Sequence, residues 1–155
     1  MAVEIERKFL VKKETWQEVE KTDGLFFRQG YLLTDPNKTI RVRLTEQSGY
    51  LTVKGVSVGA TRAEFEYPIP KEDAQELLDS FAISDLTKVR YKINFGGKTW
   101  EIDEFLGKNQ GLIVAEIELT TEDEEFELPD WIDTEVTGDA RYYNSSLSIM
   151  PFTEW

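Results

Sequence analysis

Residues 4–8 read Glu4-Ile5-Glu6-Arg7-Lys8, inside a run of alternating polar and apolar residues over 2–11. In a strand, residues two apart share a face and lie about 7 Å from each other. Glu4, Glu6 and Lys8 therefore stand on one side, with Ile5 and Phe9 on the other. The same period recurs along the chain at 25–34, 39–46, 50–56, 61–69, 86–95, 98–105 and 112–119. Each of these segments reads as a strand.

The polar faces are sorted by sign. Arg41 and Arg43 share one, and Lys54 stands alone on the next. Arg62, Glu64 and Glu66 follow, then Lys88 and Arg90, Glu101 and Asp103, and Glu116 and Glu118. Taken singly, such a strand is an ordinary solvated face. Like charges about 7 Å apart repel by about 2 kcal/mol at an effective dielectric near 20, however, so a surface sheet favours mixed signs. Alternation alone leaves two readings open. One is a charged surface sheet; the other is an inner face where acids meet metal cations and bases meet phosphate oxygens.

Turn residues separate the strands at Asp35-Pro36-Asn37, Gln47-Ser48-Gly49, Val58-Gly59 and Gly96-Gly97, the last reading as a tight hairpin. Helices are expected over 14–21, over 71–81 after Pro70, over 122–127 behind a Thr121/Glu124 capping box, and within 139–149. Trp16, Trp100, Trp131 and the pair Phe26-Phe27 are expected to pack helices against the outer wall. Eight strands with few helices predict a barrel or a strongly curved sheet.

Composition narrows the chemistry. The 155 residues are 40% hydrophobic, enough for a core, and carry 30 acids against 18 bases for a net charge of −12. So acidic a chain is a poor non-specific binder of nucleic acid. It has no cysteine and no histidine, which removes disulfides, Cys/His zinc sites and Ser-His or Cys-His catalysis. Oxygen-ligated Mg²⁺ or Mn²⁺ stays open, since carboxylates suffice. No apolar run approaches the roughly 20 residues of a membrane span, and the charged N-terminus does not read as a signal peptide. A cytoplasmic protein with no membrane partner is expected.

Glu4-Ile5-Glu6-Arg7-Lys8 matches the E-x-E-x-K signature of the CYTH superfamily, the triphosphate tunnel metalloenzymes. Arg41-Val42-Arg43, Lys54, Glu64-Phe65-Glu66, Lys88-Val89-Arg90, Glu101-Ile102-Asp103 and Glu116-Ile117-Glu118 follow in that family's order. The resemblance runs from Glu4 to about Leu147. It implies a mainly β (α+β) fold, a closed eight-stranded antiparallel β-barrel with peripheral helices, as one domain over 1–155. Its charged faces point inward.

By the same resemblance, Glu4, Glu6 and Glu118 look like ligands of a substrate-bridging metal. Glu64, Glu66, Asp103 and Glu116 look like the acids of a second metal or its water, and with Lys8 they form the catalytic set. Lys8, Arg41, Arg43, Lys54, Lys88 and Arg90 look like the triphosphate grip, with Arg62 on the same face. The run 135–144 resembles a segment that closes one tunnel mouth, where Arg141 is the only basic candidate. Tyr31 either gates the tunnel or simply lines the barrel.

The implied cofactor is Mg²⁺ or Mn²⁺, two ions during turnover, and the implied partner is a small triphosphate, tripolyphosphate or ATP. The expected reaction is hydrolysis of tripolyphosphate to pyrophosphate and orthophosphate. The alternatives are a class IV adenylyl cyclase, a thiamine or nucleoside triphosphatase, and a non-catalytic polyphosphate-binding module. A monomer or homodimer is expected.

Overall fold

The computed structural model describes residues 2–155. Its strands are β1 (Val3–Val11), β2 (Leu25–Asp35), β3 (Lys38–Leu44), β4 (Gly49–Gly55), β5 (Thr61–Ile69), β6 (Ser84–Phe95), β7 (Lys98–Phe105), β8 (Ile113–Glu118) and β9 (Ile132–Glu135). Helices α1 (Lys13–Gln17), α2 (Lys71–Phe81) and α3 (Asn144–Leu147) are short. The sheet order is β5-β4-β3-β2-β6-β7-β8-β1-β9, and β1 also pairs with β5. That extra antiparallel pairing, from Val3↔Ala63 to Ile5↔Thr61, closes β1 to β8 into an eight-stranded barrel. Closure removes the exposed edges that an open sheet would carry.

β9 is the strand the sequence did not announce, because four residues with one apolar member carry no visible period. It pairs with β1 at Phe9↔Glu135 and Val11↔Ile132, beyond the point where β5 has left. The β6–β7 turn falls at Gly96-Gly97, with φ of +59° and +77°. Two consecutive left-handed residues are what the favoured two-residue hairpin demands.

The apolar faces point outward and are covered there. Phe9, Val11, Trp100, Ile102, Ala115 and Ile117 pack under Trp16 of α1 and Trp131. The indoles meet edge-on, with Trp16–Trp131 centroids 5.2 Å apart and Trp100–Trp131 5.8 Å apart. α2 lays Ala74 and Leu78 on Val42 of β3. It approaches so closely that a Cβ on Gly49 would stand 2.6 Å from that of Ala74. A third cluster lies at one end of the barrel: Leu86, Phe105, Leu112, Val114, Val136, Tyr142 and Leu147, with Leu10 against it. Leu10, Leu86, Phe105 and Val114 have the same strand parity as Lys8, Lys88, Asp103 and Glu116. The inner face thus turns apolar at that end, and the C-terminal segment packs on it.

Three helix expectations are corrected. α1 ends at Gln17 rather than near Lys21, whose amine instead donates to the Trp16 and Val19 carbonyls at 2.7 and 3.1 Å. Residues 122–127 form a turn and an extended stretch. There the Glu124 carboxylate caps Thr120 N at 2.7 Å and pairs with Lys98, and Phe126 reaches between Phe9 and Trp100. The stretch 139–149 breaks at Tyr143, which is extended at φ −66°, ψ 136°, leaving a 3-10 turn and the single turn of α3. Phe27 is also corrected. It faces inward and is buried, beneath the Arg43 and Arg90 guanidiniums at 4.5 and 5.2 Å.

Candidate active site

The inward faces enclose a tunnel of about 240 Å³. Its walls include Glu4, Glu6, Lys8, Arg41, Arg43, Lys54, Arg62, Glu64, Glu66, Lys88, Arg90, Glu116 and Glu118. Strand register brings them together: Glu6 stands opposite Glu118, Lys8 opposite Glu116, and Glu101 opposite Glu116. On the far wall Lys54 faces Glu64, and Glu4 of β1 faces Arg62.

Two expected residues lie elsewhere. Arg141 is exposed outside the tunnel, forked on Asp139 at 2.8 Å and resting on the Tyr142 and Trp155 rings. Asp103 has no exposed surface and lies behind the wall, bound to Lys88 at 2.7 Å and to Arg90 at 2.7 and 2.9 Å. Arg62 lines the tunnel, with its guanidinium donating to the Gly55 carbonyl at 2.9 Å. Glu66 accepts from Arg41 at 3.2 Å and from Thr52 at 3.0 Å.

The acids form close pairs. Glu4 and Glu64 meet at Lys54, whose amine lies 3.4 and 3.3 Å from them. Burial opposes the charge on Glu4, yet Lys54 and Glu64 together overcome it and hold that carboxyl below its ordinary range. The proton of the pair goes to Glu64, pushed up to about 7 by burial and by Glu4. Glu6 and Glu116 form the second pair. Burial, Glu116 and Glu4 raise Glu6 well above a normal carboxyl, whereas Lys8 and Arg90 overcome burial to hold Glu116 well below. Carboxylates this close need a shared proton or a cation between them.

The bases crowd as well. Burial, then Arg41 and Arg90, lowers Arg43 to about 9. Burial, with Arg90 and Arg43 and against Asp103, lowers Lys88 to about 7. Arg43 makes no ion pair among the described residues, and Arg41 Nε is buried without a partner. Such unsatisfied donors suit an anion with several oxygens.

Sequence reading missed some of the wall. Gln29 and Thr52 are fully buried inner residues, and Tyr143, Asn144 and Ser145 close one end of the tunnel. Parity places Gln29 on the face of Tyr31, which lines the tunnel, so the alternation of β2 carried that signal. The irregular C-terminal segment carries no such alternation, and only the resemblance over 135–144 pointed to it as the closure of one tunnel mouth. Among the described residues no helix is long and apolar enough to cross a membrane.

The CYTH domain matches residues 2–149. An inorganic triphosphatase of Acetivibrio thermocellus is 49% identical over 153 residues, covering 98% of this chain and 97% of the relative. An inorganic triphosphatase of Nitrosomonas europaea is 35% identical over 151 residues, covering 94% and 97%. The crystal structure of an inorganic triphosphatase superposes with a TM-score of 0.66 at 31% identity, covering 96% of each chain. With its barrel closed, its charges gathered inside and its length matched almost end to end, the chain belongs to the CYTH domain family.

Proposed function

We propose that the chain is an inorganic triphosphatase, cleaving tripolyphosphate to pyrophosphate and orthophosphate within the tunnel. One observation carries this reading: seven cations and two close carboxylate pairs line a single compact lumen. The names of the two curated relatives agree with the reading.

Lys8, Arg41, Arg43, Lys54, Lys88 and Arg90 bind the phosphate oxygens and neutralise charge, which is most of what phosphoryl transfer needs. Triphosphatases of this family are metal-dependent. Among the described residues no three carboxylates form a ready-made metal cage. The donor set still fits Mg²⁺ or Mn²⁺, which binds through one or two carboxylates and takes its other ligands from water and substrate phosphates. Glu4, Glu6 and Glu118 would hold one ion, and Glu64 and Glu116 a second. Bound there, such ions supply charge neutralisation and an acidified water. The protein works in the cytoplasm as a monomer or homodimer, without nucleic acid.

The test incubates purified protein and Mg²⁺ or Mn²⁺ with tripolyphosphate, ATP or thiamine triphosphate. Orthophosphate release fastest from tripolyphosphate is expected. Cyclic AMP formed from ATP without orthophosphate would make it a cyclase, and binding without turnover a binding module. In the same assay Arg141→Ala should leave KM within about twofold of wild type, since an exposed surface pair contributes little. A tenfold rise would return Arg141 to the phosphate grip.

A further inference from the structure

At the closed end of the tunnel, two cations are joined by neutral amides. Arg43 Nε donates to Gln29 Oε1 at 3.1 Å, and Gln29 Nε2 donates to Asn144 Oδ1 at 3.0 Å. The same Asn144 oxygen accepts from Lys88 Nζ at 2.8 Å. Each amide oxygen thus faces a cation, and reversing either amide would set an NH₂ group against one. Lys88 also meets Asp103 at 2.7 Å, a carboxylate it shares with Arg90, whereas Arg43 has no carboxylate partner among the described residues. Arg41 is held by Glu66, and Lys54 by Glu4 and Glu64.

The two devices differ in charge. A carboxylate fixes a cation and cancels it, whereas an amide fixes it and leaves its charge for a ligand. Lys88 and Arg90 share one Asp103, so with Lys88 protonated the trio keeps one positive charge, and Arg43 adds a second. Asn144 reaches this place because Tyr143 is extended and ends the preceding 3-10 turn, so that α3 starts at the tunnel. The same segment is anchored away from the tunnel, where Ser148 Oγ lies 2.8 Å from Ser84 Oγ and Leu147 is fully buried.

We propose that Gln29 and Asn144 are positioning residues that hold Arg43 and Lys88 for phosphate while adding no negative charge of their own. The C-terminal segment then completes the anion site through Asn144, beyond simply closing the barrel. This rests on the triphosphate reading above.

Asn144→Asp keeps the shape and the acceptor facing Lys88 but adds a negative charge. Binding of tripolyphosphate in chelator is measured by calorimetry, and KM and kcat are measured with metal, for wild type, Asn144→Asp and Ser148→Ala. Asn144→Asp is expected to melt no lower than wild type, to raise Kd and KM at least about tenfold, and to change kcat less. Ser148→Ala, which loosens the segment away from the tunnel, should stay within about twofold. The proposal is overturned if Asn144→Asp binds within twofold of wild type. It is equally overturned if Ser148→Ala loses as much, since seating of the segment would then be the whole effect. Should wild type bind tripolyphosphate without hydrolysing it, the triphosphatase reading fails while the binding arm still decides the role of Asn144.

Discussion

Glu6→Gln is expected to abolish metal-dependent turnover while making the metal-free protein more stable. Removing residues that only support a metal ligand lowers affinity or activity about 10- to 100-fold, so loss of a direct ligand should exceed a hundredfold. The gain in stability comes from the same geometry. Glu6 is raised by burial and by Glu116 and Glu4, so without a cation its ionised form opposes folding.

The pH dependence fixes the sign. Glu6, Glu64 and Glu118 all lie above their ordinary value of 4.5, so between that pH and about 7 these three carboxyls hold more protons in the folded metal-free protein than in the unfolded chain. Lys88, lowered to about 7, works the other way only from about that pH upward. The stability of the metal-free protein therefore falls as pH rises from about 4.5 through about 7, the value for Glu64. Glu4, Glu116 and Asp103 are lowered, and their stabilisation is lost only on acidification below their unfolded values. In chelator, wild type should melt lower at pH 7.5 than at pH 5, and Glu6→Gln should flatten that slope. At pH 7.5 the variant should melt about 3–6 °C higher, the shift expected from about 1–2 kcal/mol in a domain of this size. Near-normal turnover, or a lower melting point at pH 7.5, would take Glu6 out of the metal site.

Much of this was legible because barrel walls obey parity. A one-residue slip would turn every charge outward and every isoleucine inward, so the alternation around Glu4, Arg41, Glu64 and Glu116 fixed both strands and faces. Closure was not in the alternation. A curved sheet and a barrel share the same pattern, and only the ordered motifs pointed to the pairing of β1 with β5. Residues that act through loops were hidden. Phe126 draws 122–127 out of the helix that its capping residues suggest, because an aromatic site between Phe9 and Trp100 outweighs a few tenths of a kcal/mol of local preference per residue. Asn144 was hidden for a similar reason: its place depends on the break at Tyr143, which no periodicity marks. Asp103 had the right parity and still lay behind the wall, since two neighbouring cations claim it.

That placement sets the second large effect. Asp103→Asn should lower stability by about 3–5 kcal/mol, the usual penalty for leaving one side of a buried ion pair uncompensated. For 155 residues this is a fall of roughly 10 °C in Tm, read by thermal melting in chelator. The carboxylate holds Lys88 and Arg90 together, both nearly without exposure, and asparagine keeps the shape while removing the charge they share. The two cations should then seek another anion. Saturating metal-free tripolyphosphate should raise the Tm of Asp103→Asn by more than it raises that of wild type, because the phosphates supply the missing counter-charge. A residue acting as a metal ligand predicts the opposite pair of results. Asp103→Asn would then melt with wild type, respond to tripolyphosphate as wild type does, and lose only its metal-dependent turnover. Those results would move Asp103 from the frame behind the wall into the metal site.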